Sequence, residues 1–205
     1  MLPISLTIEG IYSYQQRQHI DFSHLTSAGL FGIFGAVGAG KSSILEAITY
    51  ALYGETERLN KADKRGYNMM NLKSNHIYIE FAFLNFENRQ LRVVREFKRN
   101  SKKFEDVRTP TVQFYEKEGN QWRPLEQANP QELIGLSYHN FKRTIIIPQG
   151  QFKEFLELGA KDRNEMMKEI FNLQKFDLSD NIAKLKKENN EKLSFKEGEL
   201  KGYEE

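Results

Sequence analysis

The chain has 205 residues, 39% of them hydrophobic and 28% charged, and Lys plus Arg (30) almost balances Asp plus Glu (28) for a net charge of +2. That length favours one domain with an appendage and is enough to bury a sizeable core, while the composition excludes a disordered polyelectrolyte and a histone-like polycation. With no cysteine in the sequence, disulfide scaffolds, Cys-ligated zinc and iron–sulfur clusters are excluded too; a reducing cytosol fits without being required.

The opening MLPISLTIEG lacks the basic start and apolar core of a secretory signal. Its Ile4, Leu6 and Ile8 alternate with Ser5 and Thr7, which predicts a strand. HIDF (19–22) reads as a second short strand after the turn-like SYQQRQ. GLFGIFG (29–35) is a continuous apolar run closed by glycine, the pattern of a buried central strand. The stretch around it, AGLFGIFGAVGAG (28–40), is too short and too glycine-rich to span a bilayer, so a soluble, cytoplasmic protein is expected. SSILEAITYALYG (42–54) predicts a helix with Ile44, Ile48 and Leu52 on one stripe and Gly54 as terminator.

Residues 55–75 are polar and read as a long loop. HIYIEFAFLNF (76–86) and QLRVVREFKR (90–99) predict two strands joined by a turn at ENR (87–89). TVQFYEK (111–117) and QWRPL (121–125) predict another pair around Gly119–Asn120. NPQELIGL (129–136) predicts a short helix capped by Asn129 with Pro130 at its first position. TIIIPQGQF (144–152) reads as a buried strand breaking at Pro148. From 161 onward 10 basic and 11 acidic residues replace the strand formers, and Leu178, Ile182 and Leu185 step by four and three. That spacing fits a solvated helix and the root of a coiled coil equally, and Gly198 and Gly202 argue against an ideal helix.

The most informative segment is GAVGAGKS (35–42), which fits G-x-x-x-x-G-K-[ST]. By composition the pattern arises in roughly one random chain of this length in a hundred, and here a strand-like run precedes it and an amphipathic helix follows. Gly35, Gly38 and Gly40 free the backbone, so the amides around 38–42 can point inward and cradle phosphate oxygens, and Gly35, Ala36, Val37, Gly38, Ala39, Gly40, Lys41, Ser42 and Ser43 are the candidate nucleotide-binding residues. The helix that follows aims its positive end at the same anion. Lys41 supplies charge to the β- and γ-phosphates, and the Ser42 hydroxyl suits Mg²⁺. The cofactors expected are therefore a nucleoside triphosphate, with a lean to ATP, and Mg²⁺. NKAD (60–63) nominally matches a guanine-reading motif but follows no strand, so it reads as coincidence.

LTIEGIYSY near the start, GLFGIFGAVGAGKSSILEAITYALYGE (29–55) and IIIPQGQFKEFLELGAKDRNEMMKEIF (145–171) together resemble the N-terminal ATPase lobe of the SbcC family, DNA-repair ATPases of the SMC-like, ABC type. The resemblance runs over about the whole chain and is least diagnostic over 55–140. It implies an α/β fold: a P-loop NTPase head lobe over 1–160 with a central β-sheet and an antiparallel β-subdomain, then C-terminal helices over 161–205 beginning a coiled coil. Taken alone, Pro148–Gln149–Gly150 is a loop after a strand; through the resemblance Gln149 is the Q-loop glutamine, a Mg²⁺ ligand and γ-phosphate sensor. The family also implies a C-terminal lobe carrying the signature motif and catalytic glutamate, a second ATPase head, an SbcD-type nuclease near the coiled-coil root, and double-stranded DNA near the nucleoid. No Asp–Glu dipeptide and no Ser–Gly–Gly occur here, so no catalytic residue is assigned in this chain and little hydrolysis by it alone is expected. Val37 stands where family members often have Asn, and Tyr12 and Ser13 where some have a basic residue; Tyr12 and Tyr14 read as core or surface aromatics.

QLRVVREFKRNSKK (90–103) sets Arg92, Arg95, Lys98, Arg99, Lys102 and Lys103 against one acid, Glu96. Arg95, Lys98, Arg99, Lys102 and Lys103 are candidate DNA-backbone contacts; an edge strand kept soluble by its charges is the alternative. Along the strand Arg95 and Arg99 share a face with Val93 and Phe97. The four histidines (19, 24, 76, 139) show no ligand spacing. Two rival functions stay open on sequence: a self-contained small P-loop kinase, and a DNA-binding coiled-coil module whose P-loop only fixes shape.

Overall fold

Alternation of apolar and polar residues builds one sheet. In the computed structural model, which describes residues 1–26, 29–56, 59, 66–146, 157–171 and 173–204, six strands pair antiparallel in the order β2-β1-β3-β4-β5-β6. They are β1 (Leu2–Glu9), β2 (Gln18–Asp21), β3 (His76–Leu84), β4 (Gln90–Lys98), β5 (Thr111–Glu118) and β6 (Gln121–Leu125). Register is strict where one face is buried, because a slip of one residue would turn every apolar side chain outward. Ile77, Ile79, Phe81 and Phe83 of β3 thus lie on the same face as Leu91, Val93 and Phe97 of β4.

That face is covered by α2 (Lys41–Tyr53), which packs on β3 and β4. Its Ile44, Ala47, Ile48, Ala51 and Leu52 join Leu6, Ile8, Phe81 and Phe83 in a single core. Burying the Ile, Leu and Phe side chains among them contributes roughly 1.5–3 kcal/mol each. Gly54 ends α2 in the left-handed region, as the sequence predicts. The four-residue α1 (Ser23–Thr26) follows β2. The Asn129 side chain accepts from the Gln131 amide to start α3 (Pro130–Ile134), and Ser137 caps α4 (Tyr138–Thr144). The Tyr53 ring, at the end of α2, packs on Tyr138 and Phe141 and donates its hydroxyl to the Leu136 carbonyl at 2.9 Å.

Three sequence expectations are corrected. GLFGIFG (29–35) forms no strand: residues 30–36 lie outside the sheet, with Leu30 85% and Phe34 93% exposed. An apolar run becomes a central strand only when neighbours pair with both its edges and cover both its faces, and none of the six strands pairs with this one. The sheet observed among the described residues is the antiparallel one, and no central sheet around the P-loop accompanies it. Thr144 belongs to α4, and Ile145 and Ile146 follow it without strand pairing, so the strand expected over 144–152 is not formed at 144–146; 147–156 lie outside the described residues.

Met1–Glu157 forms one unit and Leu158–Glu205 a second. The second holds α5 (Ala160–Ile170), a 3-10 turn (Leu173–Phe176) and α6 (Ser179–Glu204), a single 26-residue helix. The helix runs through Gly198 and Gly202, against the expectation from glycine propensity. Ile182, Leu185, Leu193 and Leu200 on it are exposed. No described helix is long and apolar enough to cross a membrane.

Candidate nucleotide-binding site

The phosphate loop connects the exposed run 30–36 to α2. The Ala39 amide donates to the Ala36 carbonyl at 3.2 Å and closes a turn. Gly40 sits at φ 89°, a conformation costly for any residue with a Cβ, and its carbonyl accepts the first bond of α2 from Ile44 at 3.3 Å. The first turn of α2 holds no acidic residue, so nothing there competes with an anion for the helix's positive end. Lys41 reaches back across the loop and donates to the carbonyls of Gly35 and Ala36, both at 2.8 Å. Gly35, Ala36, Val37, Gly38 and Ala39 are open to solvent, Gly40, Lys41 and Ser43 are half-buried, and the Ser42 hydroxyl stands at an exposed position on the first turn. Residues 35–43 thus form a glycine-rich turn leading into α2, with the Lys41 ammonium beside it. Gln149 and the NKAD segment (60–63) lie outside the described residues.

Residues that sequence reading set aside also reach this loop. The Ser13 hydroxyl donates to the Gly38 carbonyl at 3.2 Å, and the Tyr14 hydroxyl to the Gly40 carbonyl at 3.3 Å. Partial burial pushes the Tyr14 phenol up from its ordinary value, so it is a protonated donor at neutral pH. Nothing in the local pattern IYSY signals this role, because its partners lie 25 and 26 residues away.

The basic hairpin divides in two. Arg95 is buried and donates from Nε and Nη2 to the Ala51 carbonyl at 3.3 and 3.2 Å, with its guanidinium 5.1 Å from the Tyr50 ring centroid. Burial lowers its pKa, yet guanidinium stays charged in proteins. Arg99 is buried too: it donates to Asn75 Oδ1 (3.0 Å) and the Asn71 and Leu72 carbonyls (3.3 and 2.8 Å), under the Phe104 ring. These two cations face the protein, where period-two alternation with Val93 and Phe97 puts them. Lys98, Lys102 and Lys103 face solvent. On the opposite face, Arg92 lies 4.6 Å from the ring centroids of both Tyr115 and Trp122. Among the described residues no group of three His, Asp or Glu side chains could hold a metal ion.

Residues 5–205 match the AAA domain family. The chain belongs to that family. Over 100% of its length this AAA domain is 39% identical to the SbcC protein of the SbcCD nuclease of Clostridium acetobutylicum, covering 18% of that protein. It is 38% identical, over 86% of its length, to the SbcC protein of the Bacillus subtilis SbcCD nuclease, covering 16% of it. It is 33% identical, over 98% of its length, to the probable DNA double-strand break repair Rad50 ATPase of Aquifex aeolicus, covering 19%. The chain thus spans less than a fifth of the length of these relatives.

The AAA domain's loop suits a Mg²⁺-bound triphosphate. The lysine ammonium needs only to exchange two neutral carbonyls for phosphate oxygens, which bind a cation more strongly. Ser42 would supply one hard oxygen to Mg²⁺, and the nucleotide and water the others.

Proposed function

We propose that this chain is the ATP–Mg²⁺-binding part of a DNA double-strand-break repair ATPase of the SbcC and Rad50 kind. The observation that carries the reading is the assembled loop Gly35–Ser43, with Lys41 folded over it and an acid-free helix start behind it. Similarity to the SbcCD and Rad50 proteins along the whole chain supports the biological setting. In this reading a C-terminal lobe of the same ATPase covers the apolar run around Leu30, Ile33 and Phe34, which a finished globule would not leave to water. That lobe supplies the catalytic glutamate and signature motif. Two such heads enclose ATP, and Gln149 joins Ser42 at the metal.

The exposed Lys98, Lys102 and Lys103 contact the backbone of double-stranded DNA, and α6 begins a coiled coil beside which an SbcD-type nuclease docks. ATP binds the closed pair of heads better than the open pair, and hydrolysis reverses this, gating the nuclease.

Calorimetric titration with ATP–Mg²⁺ tests the reading, together with phosphate release. The wild-type chain is expected to bind and Lys41→Ala to lose at least about tenfold in affinity, the scale of losing a charge-assisted contact. Turnover by the 205-residue chain alone is expected to be close to the uncatalysed background. Robust turnover that vanished in Lys41→Ala would show a self-contained enzyme and end the split-site reading.

A further inference from the structure

The segment 10–17, after β1, makes no β-ladder, only isolated bridges from Ile11 to Tyr14 and Met70, yet several hydrogen bonds tie it down. The Tyr12 amide donates to the Met69 carbonyl at 2.8 Å, and the Tyr14 amide to the Ile11 carbonyl at 2.8 Å. Asn71 clamps it from outside, its amide donating to the Gly10 carbonyl at 2.8 Å and its Nδ2 to the Tyr12 carbonyl at 2.6 Å. Arg99 fixes Asn71 and Leu72 in turn through their carbonyls. At Gly10 a Cβ would lie 1.8 Å from the His76 carbonyl oxygen, so the segment can seat against β3 only with glycine there.

Two hydroxyls project from this braced segment onto the phosphate loop, Ser13 to Gly38 and Tyr14 to Gly40. A trans peptide is planar, and its N–H points opposite to its C=O. Holding the Gly38 carbonyl therefore sets the Ala39 amide, which closes the loop's turn on Ala36. Holding the Gly40 carbonyl sets the Lys41 amide, the first orphan N–H of α2 and one that faces an incoming anion. The Tyr14 ring also fills the space beside Gly40, where an added Cβ would lie 2.8 Å from Tyr14 Cε2.

We infer that Ser13 and Tyr14 are positioning residues of the nucleotide site, orienting the amides of the phosphate loop through the Gly38 and Gly40 carbonyls before a nucleotide arrives. The inference rests on the loop being an ATP site. A loop set in advance spends less of its binding energy on ordering itself, so the pair acts on affinity. Neither hydroxyl touches the reacting atoms.

The test uses the intact protein that carries this chain. It compares wild type, Tyr14→Phe, Ser13→Ala, Ser13→Thr, the double variant Tyr14→Phe/Ser13→Ala, and Lys41→Ala. Three quantities are read: equilibrium affinity for ATP–Mg²⁺, the split between KM and kcat, and the melting temperature without nucleotide. Tyr14→Phe keeps the ring and removes only the hydroxyl. One lost neutral hydrogen bond corresponds to about fivefold in affinity, so Tyr14→Phe and Ser13→Ala are each expected to weaken ATP about three- to tenfold. KM should rise in step, kcat should stay within about twofold, and the nucleotide-free melting temperature should not move. Ser13→Thr retains the hydroxyl and should bind as wild type does. If Tyr14→Phe, Ser13→Ala and the double variant bind ATP like wild type while Lys41→Ala does not, the positioning role is wrong and the nucleotide reading survives. A lowered melting temperature with unchanged affinity overturns the inference equally, since the residues would then serve the fold alone. Normal ATP binding by Lys41→Ala removes the nucleotide reading itself.

Discussion

Arg95 offers the sharpest separation between a cation that serves DNA and one that serves the fold. Ala51 lies in the last turn of α2, so its carbonyl is among those the helix leaves without an intrahelical partner. Two guanidinium N–H groups reach it, at 3.3 and 3.2 Å. Because they share one acceptor they count as roughly one charge-assisted hydrogen bond of about 2 kcal/mol, and the helix-end attraction is part of the same interaction. The Tyr50 ring at 5.1 Å adds about 1 kcal/mol. Truncation to Ala also removes two buried methylenes, at about 0.8 kcal/mol each. Against these stands the cost of keeping a cation buried, which the mutation relieves. The balance for Arg95→Ala is a loss of about 3 kcal/mol, a large share of a typical domain's stability of roughly 5–15 kcal/mol. Arg95→Met keeps the methylenes and drops the buried charge, so about 1–2 kcal/mol is expected. Urea unfolding followed by the fluorescence of Trp122, the chain's one tryptophan, reads the same unit. At a slope of about 2 kcal/mol per molar urea, the midpoint should fall by about 1.5 M for Ala and about half that for Met. Affinity for duplex DNA at low salt should be unchanged in the Met variant. A midpoint within about 0.3 M of wild type together with weakened DNA binding would refute the structural assignment.

Reversing the exposed charges, Lys98→Glu, Lys102→Glu and Lys103→Glu together, should leave the unfolding free energy within about 0.5 kcal/mol of wild type. It should weaken duplex binding and reduce the salt slope by about 3, as a gel-shift series in salt would show. Arg89 holds Glu116 through hydrogen bonds of 2.6 and 2.5 Å and keeps its carboxyl below the ordinary 4.5. The folded state thus resists protonation, so the pair's stabilisation is complete above about pH 4.5 and is lost as pH falls through the folded value. Glu116→Gln should cost about 0.5–1 kcal/mol at pH 7, and its unfolding curve should converge with wild type in strong acid. Phe34→Ser, at a side chain 93% exposed, should change the chain's stability by under about 0.5 kcal/mol while reducing self-association in sedimentation; a large destabilisation would mean that Phe34 is packed.

Much of this was legible in the residues. Alternation in 76–99 places the β3–β4 hairpin, and Asn129 with Pro130 marks the start of α3. The glycine and lysine spacing of 35–42 marks the tight turn that closes on Ala36 and leads into α2. Each of these signals is local: a steric limit, a cap or a period acts within a few residues, and its energy does not wait for the rest of the chain.

The failures share the opposite cause. GLFGIFG carries the composition of a central strand, but a strand is made by its neighbours, and the sheet supplies none for it. Arg95 looks like one more cation in a basic stretch; only the packing of α2 on β4 brings the Ala51 carbonyl, 44 residues away, to its guanidinium. Ser13 and Tyr14 meet the phosphate loop across 25 and 26 residues. By itself the sequence determined the six strands that do pair, the Asn129 cap, the Gly54 helix end and the glycine-rich turn ahead of α2, because alternation, capping and short-range sterics decide those. Which cations are buried, which apolar run stays in water and which hydroxyls brace the loop were left to tertiary structure, because each depends on a partner that only the folded chain brings within about 3 Å, the reach of a hydrogen bond.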